Sequence, residues 1–581
     1  MTEQAQPAQG PGSEGPGPDG VGFTYRGAER ELIVVARPEA RLRAEAQAVR
    51  SAAGADVSSL NMFLSDEHLA LEPLFGSEER LESTALPPGA QEPAPDLALF
   101  YRVRGGEERA QELRSRIAAL PGIETAYVKP AAVPAGFSPE GHSADDSQRQ
   151  KEGAARTPDF TGRQGYLRPA PEGVDAHWAW QRPGGSGEGV TVIDVEGAWQ
   201  LGHEDLSAKL AGVVVGTPLR DVAWRNHGTA VLGVLGGDRD DRGITGIVPE
   251  AVTAAASFVG IGSAAAIHAA AERLTPGDIV LVELHRPGPR FDFQERDDQQ
   301  GYIPLEWWPD DYAAIRYATA RGVLVVEAAG NGADSLDDAV YERRPDEFPA
   351  SWRNPFNASH QPSGAILVGA GAPPPGTHGR DHGPDRSRLA FSNYGARVDA
   401  QGWGREVTTT GGYWDRPGDL QSGAEEIAWY TDTFSGTSSA SPVVVGALAS
   451  LQGMLKASGA APMTPERARE VLRSTGAAQQ DGPGRPASQR IGRRPGIKAA
   501  LTRLIPSAIG SGQAERFWDE LVPYPRELPP RLRLFVAGAW RDLSDPSPEV
   551  RQAVHSAFAG GRPDVRVWFS DDEVVGLVVT G

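Results

Sequence analysis

The chain contains no cysteine. Disulfides, thiolate nucleophiles and cysteine-based metal sites are therefore excluded, although this absence alone does not fix a compartment. No apolar run reaches the roughly 18 residues that a membrane-spanning helix needs. The opening Met1-Thr2-Glu3-Gln4-Ala5-Gln6-Pro7 lacks a basic stretch followed by an apolar one, the pattern of a secretory signal. The expected location is the cytoplasm, or the exterior by a route that needs no such signal, as for a soluble bacterial-type protein. Positive charge is also short. Lys plus Arg number 57 against 77 Asp plus Glu, for a net charge of -20. That balance argues against a general nucleic-acid binder, which needs a basic face.

With 581 residues the chain exceeds one core, so two to four domains are expected. Gly 70 and Pro 48 imply long loops and linkers. Residues 1–22 read as a disordered tail. Residues 23–130 read as a small split α/β domain. In it a strand over 31–37 leads to an Ala/Arg/Glu-rich helix over 39–53 and apolar runs near Leu60–Leu64 and Leu69–Phe75. A second unit follows: strand Leu97–Val103, helix Glu107–Leu120 and strand Thr125–Val128. Residues 131–165 are polar, with Pro, Gly and Ser, and read as a linker. Across 166–503 apolar strands alternate with helical segments, which predicts a parallel sheet covered by helices on both faces. The stretches 334–360, 371–388 and 411–430 look like inserted surface loops. Residues 504–581 read as a small C-terminal α/β module.

Four segments carry chemistry. Thr191-Val192-Ile193-Asp194 is an apolar strand ending in a carboxylate. Asn226-His227-Gly228-Thr229 opens a helical pattern. Val325-Val326-Glu327-Ala328-Ala329-Gly330-Asn331-Gly332 is a strand running into a Gly-Asn-Gly turn. Gly436-Thr437-Ser438-Ser439-Ala440-Ser441-Pro442 precedes an apolar helix. A serine hydroxyl needs a base to become a nucleophile, and the base needs a third group to hold its tautomer. Ser438, His227 and Asp194 can fill those roles, while Asn331 and the Ser438 N–H at a helix N-terminus can hold an oxyanion.

Together with His203-Glu204-Asp205-Leu206, these segments resemble the subtilisin-like serine endopeptidases over roughly residues 166–503. The Asp194-to-His227 spacing is typical of that family; the His227-to-Ser438 spacing is longer, and the excess falls in the three inserts. The resemblance implies a subtilisin-like parallel sheet and peptide-bond hydrolysis by Asp194, His227 and Ser438, with Asn331 in the oxyanion hole. It also implies that the N-terminal domain is a ferredoxin-like propeptide, an intramolecular inhibitor cut away somewhere within 129–165. Protein or peptide substrates are then the expected partners, with no nucleic acid and no membrane. Two other readings are a catalytically silent interaction protein on the same fold and a maturation protease of narrow range.

The resemblance places the substrate-binding strand at Glu283-Leu284-His285-Arg286, opposite Ala329 and Gly330. The family's usual Ser-Leu-Gly-Gly is absent there. Glu283, with Glu327 on the neighbouring strand, could place carboxylates near the pocket and favour Lys or Arg before the cut, or these acids could pair with nearby Arg residues instead. Glu196, two residues after Asp194, could hydrogen-bond near the triad or simply face solvent, and the solvent-facing reading is preferred. No cofactor is implied for catalysis. A structural calcium is implied at Asp205 with Asp240, whose hard carboxylates suit it, although Arg239 and Arg242 could neutralise the same acids.

Overall fold

A computed structural model describes residues 28–45, 48–83, 96–136, 156–505, 510–520, 531–543, 546–560, 564–570 and 573–580. The expected tail 1–22 and most of the expected linker lie outside these residues.

The N-terminal domain is an antiparallel four-stranded sheet, ordered Ala70–Pro73, Phe100–Arg104, Glu31–Ala36, Ile123–Lys129. Successive side chains of a strand point to opposite faces. Leu32 and Val34 join this domain's own core with Leu113 and Ile117 of the helix Ala110–Ala118. Ile33 and Val35 join a second core with Ala266, Ile267 and Ile315 from the larger domain. Burial on both faces explains the unbroken run Leu32-Ile33-Val34-Val35. The helix expected over 39–53 is instead a hairpin, Leu42–Glu45 paired with Ala48–Ser51. The Asn61 side chain accepts from Val49 N and donates to Val49 O, both at 2.7 Å, and Glu78 accepts from Ala44 N at 3.0 Å. These tertiary bonds outweigh the helix propensity of the Ala/Arg/Glu composition.

The larger domain holds a seven-stranded sheet, ordered Ala400–Trp403, Ile366–Gly371, Leu324–Ala328, Ile279–Val282, Thr191–Glu196, Val252–Ser257, Leu210–Val215. Every pairing in it is parallel. Helices Val222–Gly236 and Thr437–Ala457 pack together against the sheet, as do Ser263–Ala271 and Pro309–Ala320. Thr191–Glu196 pairs on one side with Val252–Ser257, beyond which lies Leu210–Val215, and on the other with Ile279–Val282, where the later strands continue. Such a reversal opens a crevice at the carboxyl ends of the strands. Glu196 and Glu283 sit there, each wholly buried.

Residues 501–581 form a separate compact unit. It is a six-stranded sheet with the helix Pro548–Ala559, around a core that includes Leu532, Leu534, Val554, Val565 and Val567.

Candidate active site

Asp194 and Glu196 are two apart on one strand, so both carboxyls lie on the same face. His227 lies on the helix Val222–Gly236. That helix comes close because residue 228 is glycine: a Cβ there would stand 2.3 Å from Ala198 O. At this height His227 Nδ1 meets Glu196 Oε1 in a short hydrogen bond. Asp194 Oδ2 instead accepts the Trp199 indole N–H at 2.7 Å. The expected pairing of His227 with Asp194 is therefore corrected to Glu196, which is buried rather than facing solvent. The Glu side chain, one methylene longer and at the strand's end, reaches the imidazole. Burial pushes both acids well above the usual carboxylate range, with Glu196 adding to the effect on Asp194. Burial also pushes His227 down to about 3, against the pull of Asp194. Phe434 packs edge-on to the imidazole with ring centres 5.4 Å apart.

Ser438 begins the long helix Thr437–Ala457 after Gly436, whose φ of 114 lies in a region that favours glycine. Its Oγ is buried and makes no hydrogen bond among the described residues. Asn331 is aimed by its neighbours. Its Oδ1 accepts from Thr437 N and Thr437 Oγ1, both at 3.0 Å, which turns its Nδ2 toward the cleft.

The cleft is filled by the chain itself. Val133–Pro134 forms an antiparallel strand with Leu284–Pro287, placing Leu284 opposite Pro134 and His285 opposite Val133. Ala135 N donates to Glu283 O at 3.0 Å, and Gly136 bridges Gly436. The Ala135 carbonyl oxygen accepts from Asn331 Nδ2 at 2.7 Å and from Ser438 N at 3.2 Å. Residues 131–136, read from sequence as linker, thus lie along the cleft as a substrate would. A carbonyl gripped by two donors beside a buried serine is arranged for acyl transfer.

The subtilase family model matches residues 190–492, just over half of the chain. The chain belongs to the subtilase family. Its members are serine-type endopeptidases. An intracellular serine protease from Paenibacillus polymyxa is 26% identical over 320 residues, which is 52% of this chain and 78% of that protein. Subtilisin BL from Lederbergia lenta is 28% identical over 272 residues, 46% of this chain and 76% of the relative. Among solved structures, fervidolysin from Fervidobacterium pennivorans is similar with a TM-score of 0.46 at 17% identity. That match covers 85% of this chain and 64% of the fervidolysin chain, less than two thirds of its length.

The remaining expected site residues of this subtilase fall as follows. Glu283 does not line an acidic pocket: its Oε1 accepts from Ser441 Oγ at 2.6 Å beneath the nucleophile loop. Burial first, and Asp194 second, push it well above the carboxylate range. Glu327 is equally buried and accepts from Glu306 N at 3.1 Å. Ala329 N donates to Val368 O on the neighbouring strand, and Gly330 N donates to Thr437 Oγ1 beside Ser438. Asp205 Oδ2 accepts from Ile244 N at 2.7 Å, and Asp240 is taken by the Arg242 guanidinium at 3.3 Å. No group of three potential metal-ligating side chains occurs among the described residues. As placed, Asp205 and Asp240 do not fit a calcium ion, because a cationic side chain already neutralises one of them.

The sequence reading preferred solvent for Glu196 over a place beside His227, and it missed Ala135 as the occupant of the site. The first had a signal, since carboxylates at i and i+2 on a strand share a face. The second had none, because a Pro/Ala-rich segment reads as linker until the cleft that receives it is built.

Proposed function

We propose that this subtilase is an endopeptidase that cuts its own chain between Ala135 and Gly136, and that its N-terminal domain then blocks the cleft as an inhibitor. The observation that carries this reading is the Ala135 carbonyl oxygen between Asn331 Nδ2 and Ser438 N. Ser438 Oγ attacks the Ala135 carbonyl carbon as His227 takes the hydroxyl proton. Glu196, on Nδ1, fixes the tautomer and stabilises the imidazolium. Asn331 and the Ser438 N–H hold the oxyanion. His227 returns the proton to the Gly136 nitrogen, the C–N bond breaks, and an ester joins Ser438 to Ala135. Water, activated by the same His227, hydrolyses that ester. No step calls for a cofactor.

Mass spectrometry of the purified protein tests this. A new N-terminus at Gly136, absent in Ser438→Ala, is the expected result. A chain that stays intact and does not react with a fluorophosphonate would instead support a silent interaction protein.

A further inference from the structure

We propose that His285 closes the floor of the cleft beneath the residue before the cut, so that this peptidase accepts only small side chains there: alanine, glycine or serine. The inference rests on the reading that Ala135 occupies the substrate position.

Opposed residues of an antiparallel pair share a face, and side chains alternate along each strand. His285 opposes Val133, so its imidazole lies on the face that Val133 and Ala135 share. The ring is wholly buried and tightly held. Its Nδ1 accepts from Asn331 N at 3.3 Å, and the Pro134 carbonyl lies within reach of the ring. Tyr302 packs edge-on to it with ring centres 4.8 Å apart. A Cβ on Gly330 would stand 3.5 Å from Nδ1, so that backbone walls the other side. Gln299, nearly buried, accepts from Asn331 Nδ2 at 3.0 Å and fills the space beyond.

The methyl of Ala135 is completely enclosed in this setting. A phenylalanine or leucine at that position would have to displace two packed rings and the amide that aims the oxyanion hole. Interiors are packed too densely to absorb such a volume. A glycine in place of His285 would leave an open slot in the same strand. The histidine, rather than a carboxylate, is thus the group that selects the substrate.

The full-length chain is its own assay. Ala135→Ser is expected to self-cleave near the wild-type rate, and Ala135→Phe on the order of 100-fold more slowly. Combining Ala135→Phe with His285→Gly is expected to recover most of that loss. Cleavage of Ala135→Phe at the wild-type rate would overturn the assignment, as would a double variant that stays as slow as Ala135→Phe while still labelling with a fluorophosphonate. Should the double variant fail to fold, wild-type protein given peptides spanning 129–137 with Ala or Phe at position 135 decides the matter. Equal cleavage of the two sinks the proposal, and a strong preference for Ala sustains it. Failure of the underlying reading is separately visible: protein that labels with no fluorophosphonate and cuts neither peptide overturns both.

Discussion

At the scale of single residues, the site turns on which of two carboxyls serves His227. Asp194 and Glu196 are both buried on one strand face, but Glu196 meets Nδ1, while Asp194 is engaged by Trp199. Replacing the carboxyl that orients a catalytic histidine by an amide favours the wrong tautomer and costs on the order of 10,000-fold in kcat where it has been measured in such triads. Glu196→Gln is therefore expected to lose several orders of magnitude in self-cleavage rate, whereas Asp194→Asn loses far less, as time-resolved gel analysis would show. Equal losses would return the role to Asp194. The imidazole also sets a pH dependence. His227 works as a base only when neutral, and burial holds its proton affinity down, to about 3. A group so depressed keeps its neutral form below the ordinary imidazole value of about 6.5 and loses it only as pH falls through the lower one. The Glu196 carboxyl that orients it is pushed up by the same burial, so self-cleavage is expected to fall on acidification as Glu196 gains its proton, before the imidazole does; a Glu196→Gln chain whose residual rate falls over the same pH range as wild type would contradict this. The residue types of this site were legible in the sequence, but their pairing was not. Which of two same-face acids touches a histidine depends on the height at which a helix crosses the strand, and Gly228 sets that height through a close approach invisible in one dimension.

At the scale of elements, the N-terminal sheet is fastened to the larger domain by buried charge as well as apolar area. Lys129, at the end of its strand, reaches Asp310 at 2.5 Å and Asp311 at 3.1 Å, both in the first turn of the helix Pro309–Ala320. Carboxylates are favoured at that helix end. Arg286 on the cleft strand pairs with Glu31. Burial alone would raise the Glu31 carboxyl, but Lys129 and Arg286 bring it down to about 2. Removing one member of a buried ionic group leaves the others uncompensated, at a cost of about 3–5 kcal/mol. Lys129→Met is thus expected to speed dissociation of the N-terminal fragment from the self-cleaved complex by roughly two to three and a half orders of magnitude. Surface plasmon resonance on the processed protein would measure it, and an unchanged off-rate would show that apolar contacts hold the fragment alone. The first strand of this domain was readable because its apolar run Leu32-Ile33-Val34-Val35 is unbroken. The hairpin over 42–51 was not, since its register is fixed by Asn61 and Glu78 from outside the segment.

At the scale of the whole molecule, alternation of apolar strands and helices over 166–503 was enough to predict a parallel sheet with helices on both faces, because burial on both faces leaves a strong one-dimensional trace. The C-terminal module was equally readable, from Leu532-Arg533-Leu534-Phe535-Val536 and the alternating Val565-Arg566-Val567, which supply strands of its sheet. Its independence has a measurable consequence. The core of this unit is built from its own residues, among them Leu532, Leu534, Val536, Val554, Val565 and Val567. A unit with a private core unfolds as its own cooperative step. Calorimetry of the Ser438→Ala chain, which avoids self-digestion, is expected to show a smaller transition belonging to 506–581 beside the main one. Ending the chain at residue 505 should remove the smaller transition and leave the main Tm within a few degrees, since the helix Ile497–Leu504, which begins in the larger unit, keeps its buried Ile497 and Ala500. The truncated wild-type chain should still label at Ser438. A main transition that falls steeply on truncation would mean that the two cores are coupled, and the module would then have to be counted as part of the peptidase fold.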